Sequence, residues 1–263
     1  EANGKEMLAV LNDAGIDTTH VAYDDKQSSG CAVIILEEHP GHSAENRIMV
    51  VPGANMTITP EDIAFLENDI AQFDLVVLQL EIPMDINVKV AQYAKKQNIP
   101  VMLNSAPSAA IPTELLACLT YISPNEHEAF DLTGIEIPHS DEHVDLDAAQ
   151  NAAKALQQKG VENVLITLGS AGAIFVGKDS FSYSPAVQNV QAVDPTAAGD
   201  SFVGAFCVAS CCGLGPQDAL LFANHTAAIT VSHMGAMPSL PTLDIVNKAL
   251  SKSEAAFKLE VFA

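Results

Sequence analysis

The sequence predicts an α/β fold in which a parallel sheet is covered by helices on both faces. Short, nearly continuous apolar runs, which are typical of buried parallel strands, occur at 75–80, 101–104, 120–123, 164–168 and 173–176. Segments with helical patterns alternate with these runs, as expected for such a sheet. The chain has 263 residues, of which 48% are apolar and 17% charged, so it can bury a large core. One large domain, with room for a small attachment, is therefore predicted.

The first part of the chain predicts a helix followed by a small antiparallel sheet. The helix is expected over 5–14, because Gly15 then provides a glycine at the helix end. Apolar runs at 21–23, 31–36 and 48–51 are separated by polar turns that contain Gly or Pro, which predicts three short strands.

Further helices are predicted between the strands and after the last one. Thr59 can cap a helix that begins at Pro60 and runs to Gln72. The remaining helical patterns cover 87–98, a short stretch from 126, 146–158, 199–212 and 216–233. Segment 135–147, which contains Pro138 and several acidic residues, is predicted to be a solvated loop.

The charge balance excludes two classes of partner. Asp and Glu number 33 against 12 for Lys and Arg, which gives a formal net charge of −21, and Arg47 is the one arginine. A chain this acidic lacks the basic surface with which proteins bind nucleic acids or anionic membranes. No apolar run approaches the roughly 20 residues of a membrane-spanning helix. Any bound phosphate would therefore depend on backbone amides, lysines or metal ions.

The cysteines predict a reducing compartment, and the expected location is the cytoplasm. Their number is odd, and the paired clusters of a zinc site are missing from the sequence, so they are interpreted as buried thiols. The five cysteines are Cys31, Cys118, Cys207, Cys211 and Cys212. A metal site at His127, His139 and His143 is an alternative by composition, although these residues lack a recognised ligand spacing.

The segment from Asp194 to Asp200 carries the strongest chemical signal. It stands where a helix is predicted to begin, so free N–H groups and the helix dipole favour a bound anion. The small residues Ala197, Ala198 and Gly199 let the backbone approach a ligand closely. Asp200, beside this anion hole, can accept a proton from an attacking hydroxyl. The alternative is a glycine-rich turn in which the aspartate caps the helix.

This segment resembles the second signature of the ribokinase, or PfkB-type, family of carbohydrate kinases. Asp200 matches the catalytic aspartate that ends the signature. The family more often has Thr at the position of Pro195 and Gly at that of Ala197, and both replacements keep a small, turn-forming segment. The resemblance extends from Glu1 to about Pro241.

The resemblance implies a ribokinase-like three-layer α/β/α sandwich with a small β-sheet lid. Residues 16–57 would form the lid, while 1–15 and 58–263 would form the domain that binds nucleotide and substrate. In the family, a first strand with a sugar-binding aspartate and a Gly-Gly-Lys/Asn segment come earlier in the chain. Neither is found here, so this part of the sugar site is expected to precede Glu1.

Three further motifs match the ATP site of the family. Asn125 and Glu128 resemble its Asn-x-x-Glu motif, which implies that Asn125 faces the phosphates and Glu128 helps to hold Mg²⁺ through water; the alternative is a helix capping box. Asn224 matches a position near adenine and ribose, and is otherwise an amide on a helix surface. Gly199 is expected to face ATP as well. The segment that resembles the nucleotide-binding turn, or alternatively forms a plain β-turn, consists of Thr167, Leu168, Gly169, Ser170, Ala171 and Gly172.

The sugar site and a monovalent cation site are implied in the same way. Glu81 follows a predicted strand and matches a glutamate that contacts sugar hydroxyls, where Asp200 is also expected. The residues that match a ring of mostly carbonyl ligands for K⁺ are Asp194, Thr196, Thr230, His233, Gly235 and Ser239. The alternative is an ordinary loop after a helix end, with Asp194 capping a backbone N–H.

The implied activity is ATP-dependent phosphorylation of a primary hydroxyl on a small sugar, foremost D-ribose to D-ribose 5-phosphate. Kinases of fructose, deoxyribose or nucleosides from the same family, and a non-catalytic sugar or nucleotide sensor, are the alternatives. Mg²⁺ with ATP and an activating K⁺ are the implied cofactors. A homodimer is expected through the lid, because a small sheet with one apolar face and open edges has to be covered.

Overall fold

The structure is a computed structural model that describes residues 2–37, 45–140, 143–251 and 262. The strands in the described part of the chain are β1 (Cys31–Glu37), β2 (Glu45–Val51), β3 (Val76–Leu78), β4 (Val101–Asn104), β5 (Tyr121–Ser123), β6 (His139–Ser140), β7 (His143–Val144), β8 (Asn163–Thr167), β9 (Ala173–Val176) and β10 (Phe181–Ser184). The α-helices there are α1 (Ala2–Asp13), α2 (Leu66–Asp69), α3 (Met84–Lys96), α4 (Thr113–Leu116), α5 (Glu126–Thr133), α6 (Leu146–Gln158), α7 (Ala198–Cys211), α8 (Pro216–Val231) and α9 (Leu243–Leu250).

The central sheet is mixed rather than wholly parallel. Its six strands lie in the order β10-β9-β8-β5-β4-β3, and β3, β4, β5 and β8 run parallel to one another. The strands β9 and β10 are antiparallel to their neighbours. The connection from β8 to β9 is only the segment 168–172, and a parallel connection needs a crossover of a dozen or more residues. The expected parallel direction for 173–176 was therefore wrong, and β10 was not predicted.

Two hydrophobic layers cover the faces of this sheet. On one face, Leu103 and Ile122 of the sheet pack with Ile86 of α3 and Leu156 of α6. On the other face, the apolar side chains of the sheet pack against α7, α8 and α9, with Phe206 as a large buried residue at the centre. Helices therefore lie on both sides of the sheet, which confirms the predicted three-layer α/β/α sandwich.

Three predicted elements differ from the observed ones. Residues 21–23 form no strand, because the chain turns at Asp24, whose Oδ1 accepts the N–H groups of Lys26 and Gln27. Residues 60–65 form turns rather than helix, and the carboxylate of Asp62 accepts from the backbone and hydroxyl of the expected cap residue 59. Within 135–147, β6 and β7 pair as a short antiparallel hairpin; residues 141 and 142 lie outside the described part.

The strands β1 and β2 form a separate two-stranded antiparallel sheet, with Cys31 opposite Val51. Both of its faces are apolar and exposed, not one as expected. Met49 points to one face and is 58% exposed, while Val50 points to the other and is 48% exposed. The run 31–36 is apolar throughout, so the alternation of side chains along the strand leaves neither face polar.

The five cysteines are free thiols, but only one of them is buried. Burial raises the pKa of Cys207 to about 12. Cys118 is half-buried, whereas Cys31, Cys211 and Cys212 are exposed, so the expectation of buried thiols was wrong for these three. They lie on the two-stranded sheet and at the outer end of α7. No helix within the described residues has the length and apolarity needed to cross a bilayer.

Candidate active site

The predicted site residues meet at one edge of the central sheet. The parallel strands β3, β4, β5 and β8 all end at this edge, where ligands of such sheets bind. The chain reverses direction after β8 and again after β9, so β10 also ends there. Loops after five strands and the start of α7 can therefore contribute to one site.

The start of α7 is a tight turn built from small residues. Ala197 precedes the helix in the left-handed conformation, with φ 62° and ψ 8°, and its carbonyl accepts the N–H of Ser201 at 2.9 Å. The N–H of Ala198 donates to the carbonyl of Pro195 at 3.2 Å and so closes the turn. Within the described residues, the amides of Gly199 and Asp200 have no recorded hydrogen bond, which leaves these two amides available to an anion.

Asp200 lies exposed in the first turn of α7, beside these two amides. Its Oδ1 accepts a hydrogen bond of 3.0 Å from Nδ2 of Asn104, the last residue of β4. Sequence reasoning missed Asn104. Its signal was a polar residue that ends an otherwise apolar buried strand at the ligand-binding edge.

Asn125 and Glu128 form a capping box at the start of α5, as the alternative reading expected. The side chain of Asn125 accepts the N–H of Glu128 at 2.8 Å, and Oε2 of Glu128 accepts the N–H of Asn125 at 2.9 Å. The hydroxyl of Ser105 donates to the same Oε2 at 3.3 Å. Oε1 of Glu128 takes part in none of these bonds. Burial raises the pKa of Glu128 above its usual value, although these hydrogen bonds oppose the shift.

The segment 167–172 lies next to this capping box. The N–H of Thr167 donates to the carbonyl of Pro124 at 3.1 Å. The N–H of Leu168 donates to the carbonyl of Gly172 at 2.8 Å, and Gly169 and Ala171 lie in the single 3₁₀ turn between them, with Ser170. The turn is thus short and closed by backbone hydrogen bonds, and it follows β8 directly.

The end of β10 and the residues that follow it form one wall of this turn. Gly172 has φ 101°, and a Cβ added there would lie 2.2 Å from the carbonyl oxygen of Ser184. Nδ2 of Asn224 donates to that carbonyl at 3.0 Å, to the Ser184 hydroxyl at 2.9 Å and to the carbonyl of Pro185 at 3.2 Å. Asn224 is buried, so the surface-amide alternative is wrong: its amide clamps residues 184–185 against the turn.

Glu81 is exposed in the loop that follows β3. The loop is held at its start, where the N–H of Leu80 donates to the carbonyl of Ala106 at 3.0 Å. Glu81 has no recorded side-chain hydrogen bond within the described residues. Because β3 and β4 are parallel neighbours, Glu81 lies at the same edge as Asn104 and the carboxylate that Asn104 binds.

The segment before α7 is tied to the end of α8 through a buried carboxylate. Oδ1 of Asp194 accepts the N–H of Thr196 at 2.9 Å, and Oδ2 accepts the N–H of Gly235 at 2.8 Å. Burial alone would raise the pKa of Asp194, but hydrogen bonds from Thr196 and Gly235 hold it below its usual value. The side-chain oxygen of Thr196 is buried and has no hydrogen-bond partner among the residues that the structure describes.

The other members of the predicted cation ring lie around the end of α8. The buried hydroxyl of Thr230 donates to a carbonyl one turn earlier, and its own carbonyl accepts the N–H of His233 at 3.1 Å. Nδ1 of His233 lies 2.8 Å from the carbonyl of Ile229. Ser239 is buried and donates to the carbonyl of Ala236 at 2.6 Å. Among the described residues, no group of three or more His, Cys, Asp or Glu could hold a metal ion by itself; the side chains of His139 and His143 fall outside them.

Comparison with known proteins identifies the family. The sequence model of the pfkB family carbohydrate kinases matches residues 1–243. The chain belongs to this family. Among its relatives in the pfkB family, the ribokinase of Haemophilus influenzae is 38% identical over 91% of this chain and 74% of its own length. The deoxyribokinase of Salmonella typhi is 33% identical over 93% of this chain and 76% of its own.

The solved structures of pfkB family members agree with the fold described above. The structure of Arabidopsis thaliana ribokinase complexed with ribose and ATP superimposes with a TM-score of 0.83. It is 32% identical in sequence, and the match covers 96% of this chain and 80% of that one. The predicted ribokinase-like architecture is therefore confirmed.

Proposed function

We propose that this pfkB family member transfers the γ-phosphoryl group of ATP to the primary hydroxyl of D-ribose. The observation that carries the proposal is the placement of Asp200 beside the two amides of the α7 turn, at the ligand-binding edge of the sheet. Ribokinases are the relatives at 36–38% identity, which supports ribose as the substrate. Asp200 and the anion-hole residues 197–199 are the proposed catalytic residues.

The proposed mechanism is in-line attack by the hydroxymethyl oxygen of the sugar on the γ-phosphorus. Asp200 accepts the proton of that hydroxyl, because its exposed carboxylate stands beside the phosphoryl position. The amides of Gly199 and Asp200 donate to the phosphoryl oxygens as their charge develops. Glu81, at the same edge, is proposed to orient the sugar hydroxyls.

ATP is proposed to lie between the turn 167–172, Asn125 and the wall that Asn224 holds. Glu128 would hold Mg²⁺ through water, and its Oε1, which takes part in none of the capping hydrogen bonds, suits that role. The ion supplies positive charge to the phosphates when it is bound. One or two protein oxygens with several waters is the usual coordination of Mg²⁺ in nucleotide sites.

A K⁺ site at the loop pair 194–196 and 230–239 is part of the proposal. The buried and unpartnered side-chain oxygen of Thr196 is the observation that supports it, because such an atom normally has a ligand or hydrogen-bond partner. The two Asp194 oxygens each accept one hydrogen bond, and a carboxylate oxygen can take a further ligand. A cation here would stabilise the turn that begins α7.

Residues 16–57 are proposed to act as a lid, and two lids are proposed to pack together in a homodimer. The exposed apolar side chains on both faces of the β1–β2 sheet support this arrangement, since one face can cover the sugar and the other a second lid. The cytoplasmic location stays a prediction.

The test is a substrate panel with the purified protein. ADP formation from Mg-ATP would be measured with ribose, deoxyribose, fructose and adenosine. Ribose should give the highest kcat/KM, and deoxyribose is the second candidate because the deoxyribokinase relative is 33% identical. Asp200→Asn should bind ADP normally but lower kcat by about 10²- to 10⁴-fold, the usual contribution of a general base. Turnover that is independent of sugar, or a fully active Asp200→Asn variant, would overturn the proposal.

A further inference from the structure

Two successive residues, the last of β4 and the one that follows it, bind two different carboxylates of the proposed site. Asn104 donates from Nδ2 to Oδ1 of Asp200 at 3.0 Å. Ser105 donates from its hydroxyl to Oε2 of Glu128 at 3.3 Å. Asn104 is 7% exposed and Ser105 is 1% exposed, so the bond from Ser105 is buried, whereas the bond from Asn104 to the exposed Asp200 is partly buried.

The alternation of side chains along β4 explains how neighbours reach different helices. Met102 packs into the hydrophobic layer that contains α7, and Leu103 packs into the layer that contains α3 and α6. Asn104 follows Met102 to the side of α7, and Ser105 follows Leu103 to the side of α5. The strand β4 is paired on both sides, with β3 and β5, so its end is held in place.

We infer that Asn104 and Ser105 are positioning residues, which fix the base Asp200 and the carboxylate Glu128 relative to each other. The inference rests on the proposed function. Asp200 is exposed, and without a partner its side chain would rotate freely between rotamers. The bond from Asn104 to Oδ1 fixes the orientation of the carboxylate and leaves Oδ2, which takes no part in that bond, to accept the proton of the sugar hydroxyl. The separation of the two carboxylates is then set by the single peptide unit that joins the last residue of β4 to the residue after it.

The first test uses two replacements of Asn104 that separate hydrogen bonding from packing. Asn104→Ala removes the donor, and Asn104→Asp keeps the shape but puts an acceptor opposite Asp200. The kcat of Asn104→Ala should fall about 10- to 100-fold, as expected for a hydrogen bond to a charged group, with the KM for ribose and ATP little changed. The kcat of Asn104→Asp should fall at least as far as that of Asn104→Ala. A kcat near wild type in Asn104→Asp would overturn the inference, because a packing role tolerates that change.

The second test concerns Ser105 and does not depend on turnover. Affinity for ADP would be measured by calorimetry with and without Mg²⁺. Mg²⁺ is expected to increase the affinity for ADP, and Ser105→Ala should reduce this increase about two- to tenfold, as expected for one lost hydrogen bond. Ser108→Ala is the matched control, because its hydroxyl donates to Asp131 at an exposed position of the same loop. Equal affinities in the two variants would overturn the role of Ser105.

Failure of the proposed function is distinguishable from failure of this inference. If the wild-type protein forms no ADP with ribose, the proposed function is wrong. Crystal structures of the wild type and Asn104→Ala then decide the positioning role. A change of rotamer at Asp200 in the variant would support the role, whereas the same rotamer in both structures would overturn it.

Discussion

The glycine in the nucleotide-binding turn gives the sharpest prediction about local structure. Gly172→Ala adds a Cβ at φ 101° and ψ −136°, a conformation that residues other than glycine rarely adopt. The new atom would lie 2.2 Å from the Ser184 carbonyl oxygen and 2.7 Å from the backbone nitrogen of Ala186. Both contacts are with backbone, so they cannot be relieved by rotating a side chain.

The loss of stability in Gly172→Ala can be estimated from the atoms that the new Cβ displaces. The carbonyl of Ser184 has to shift by about 1 Å to reach an ordinary contact distance. It is held by Asn224, whose two side-chain N–H donors are shared among three oxygen atoms of residues 184–185 at 2.9 to 3.2 Å. The backbone conformation costs about 1–3 kcal/mol, and weakening the hydrogen bonds of the two N–H donors adds about 1 kcal/mol for each donor. Gly172→Ala should therefore lower the free energy of unfolding by about 3–5 kcal/mol.

Gly213 provides a control for a positive φ without a steric clash. It has φ 84°, and a Cβ added there would meet no atom within 4 Å. Gly213→Ala should lower the free energy of unfolding by about 1–2 kcal/mol, because it adds the unfavourable backbone conformation without a steric clash. The assay is thermal unfolding followed by circular dichroism, together with calorimetry of ADP binding. The Tm of Gly172→Ala should lie about 5–10 °C below that of Gly213→Ala.

The result that would refute this reasoning is an equal loss of Tm in the two variants. It would mean that the backbone of residues 184–186 can shift without a loss of stability, and that the hydrogen bonds from Asn224 do not hold it in place. Nucleotide affinity adds an independent check, because displacement of the turn should weaken ADP binding in Gly172→Ala and leave it unchanged in Gly213→Ala.

Three further predictions concern the metal ions and the lid. Glu128→Gln should raise the Mg²⁺ concentration needed for half-maximal rate and leave the KM for ribose nearly unchanged; a rise in that KM alone would assign Glu128 to the sugar instead. In initial-rate assays at constant ionic strength, Asp194→Asn should lose most of the activation that KCl gives over NaCl or tetramethylammonium chloride. Full activation by KCl in this variant would exclude a cation site. Of Met49→Lys and Val50→Lys, which alter opposite faces of the β1–β2 sheet, one should convert a dimer to a monomer in light scattering and the other should not; a wild-type monomer would exclude the lid dimer.

Local sequence patterns located most of the sheet and its long helices. The predicted limits of β4, β9 and α6 agree with the structure to the residue, because each is an uninterrupted pattern with a clear stop. Asp145 caps α6 with its side chain, as a short polar residue before a helix is expected to do. The prediction of a strand at 21–23 was wrong, because a run of apolar residues does not by itself supply a neighbouring strand to pair with.

The site was only partly visible in the sequence, because some of its contacts are long-range. The bond between Asn104 and Asp200 joins residues 96 positions apart, and no local pattern records it. The buried position of Asn224 could not be predicted, because its partners lie in the last residue of β10 and the residue after it, and the sequence pattern did not predict β10. The capping box at Asn125 and Glu128 could be predicted, since both its residues lie within one helical turn.

The carboxylates gathered at the ligand-binding edge have a consequence for how fast the nucleotide arrives. Glu81, Glu128 and Asp200 stand at that edge, in a chain with a net charge of −21 and a single arginine. Mg-ATP is itself negative, so its approach is opposed by long-range repulsion rather than assisted by electrostatic steering. Added salt shortens the distance over which that repulsion acts, to about 8 Å at physiological ionic strength. The association rate constant for Mg-ATP should therefore rise with ionic strength, the opposite of the trend at a basic nucleotide site.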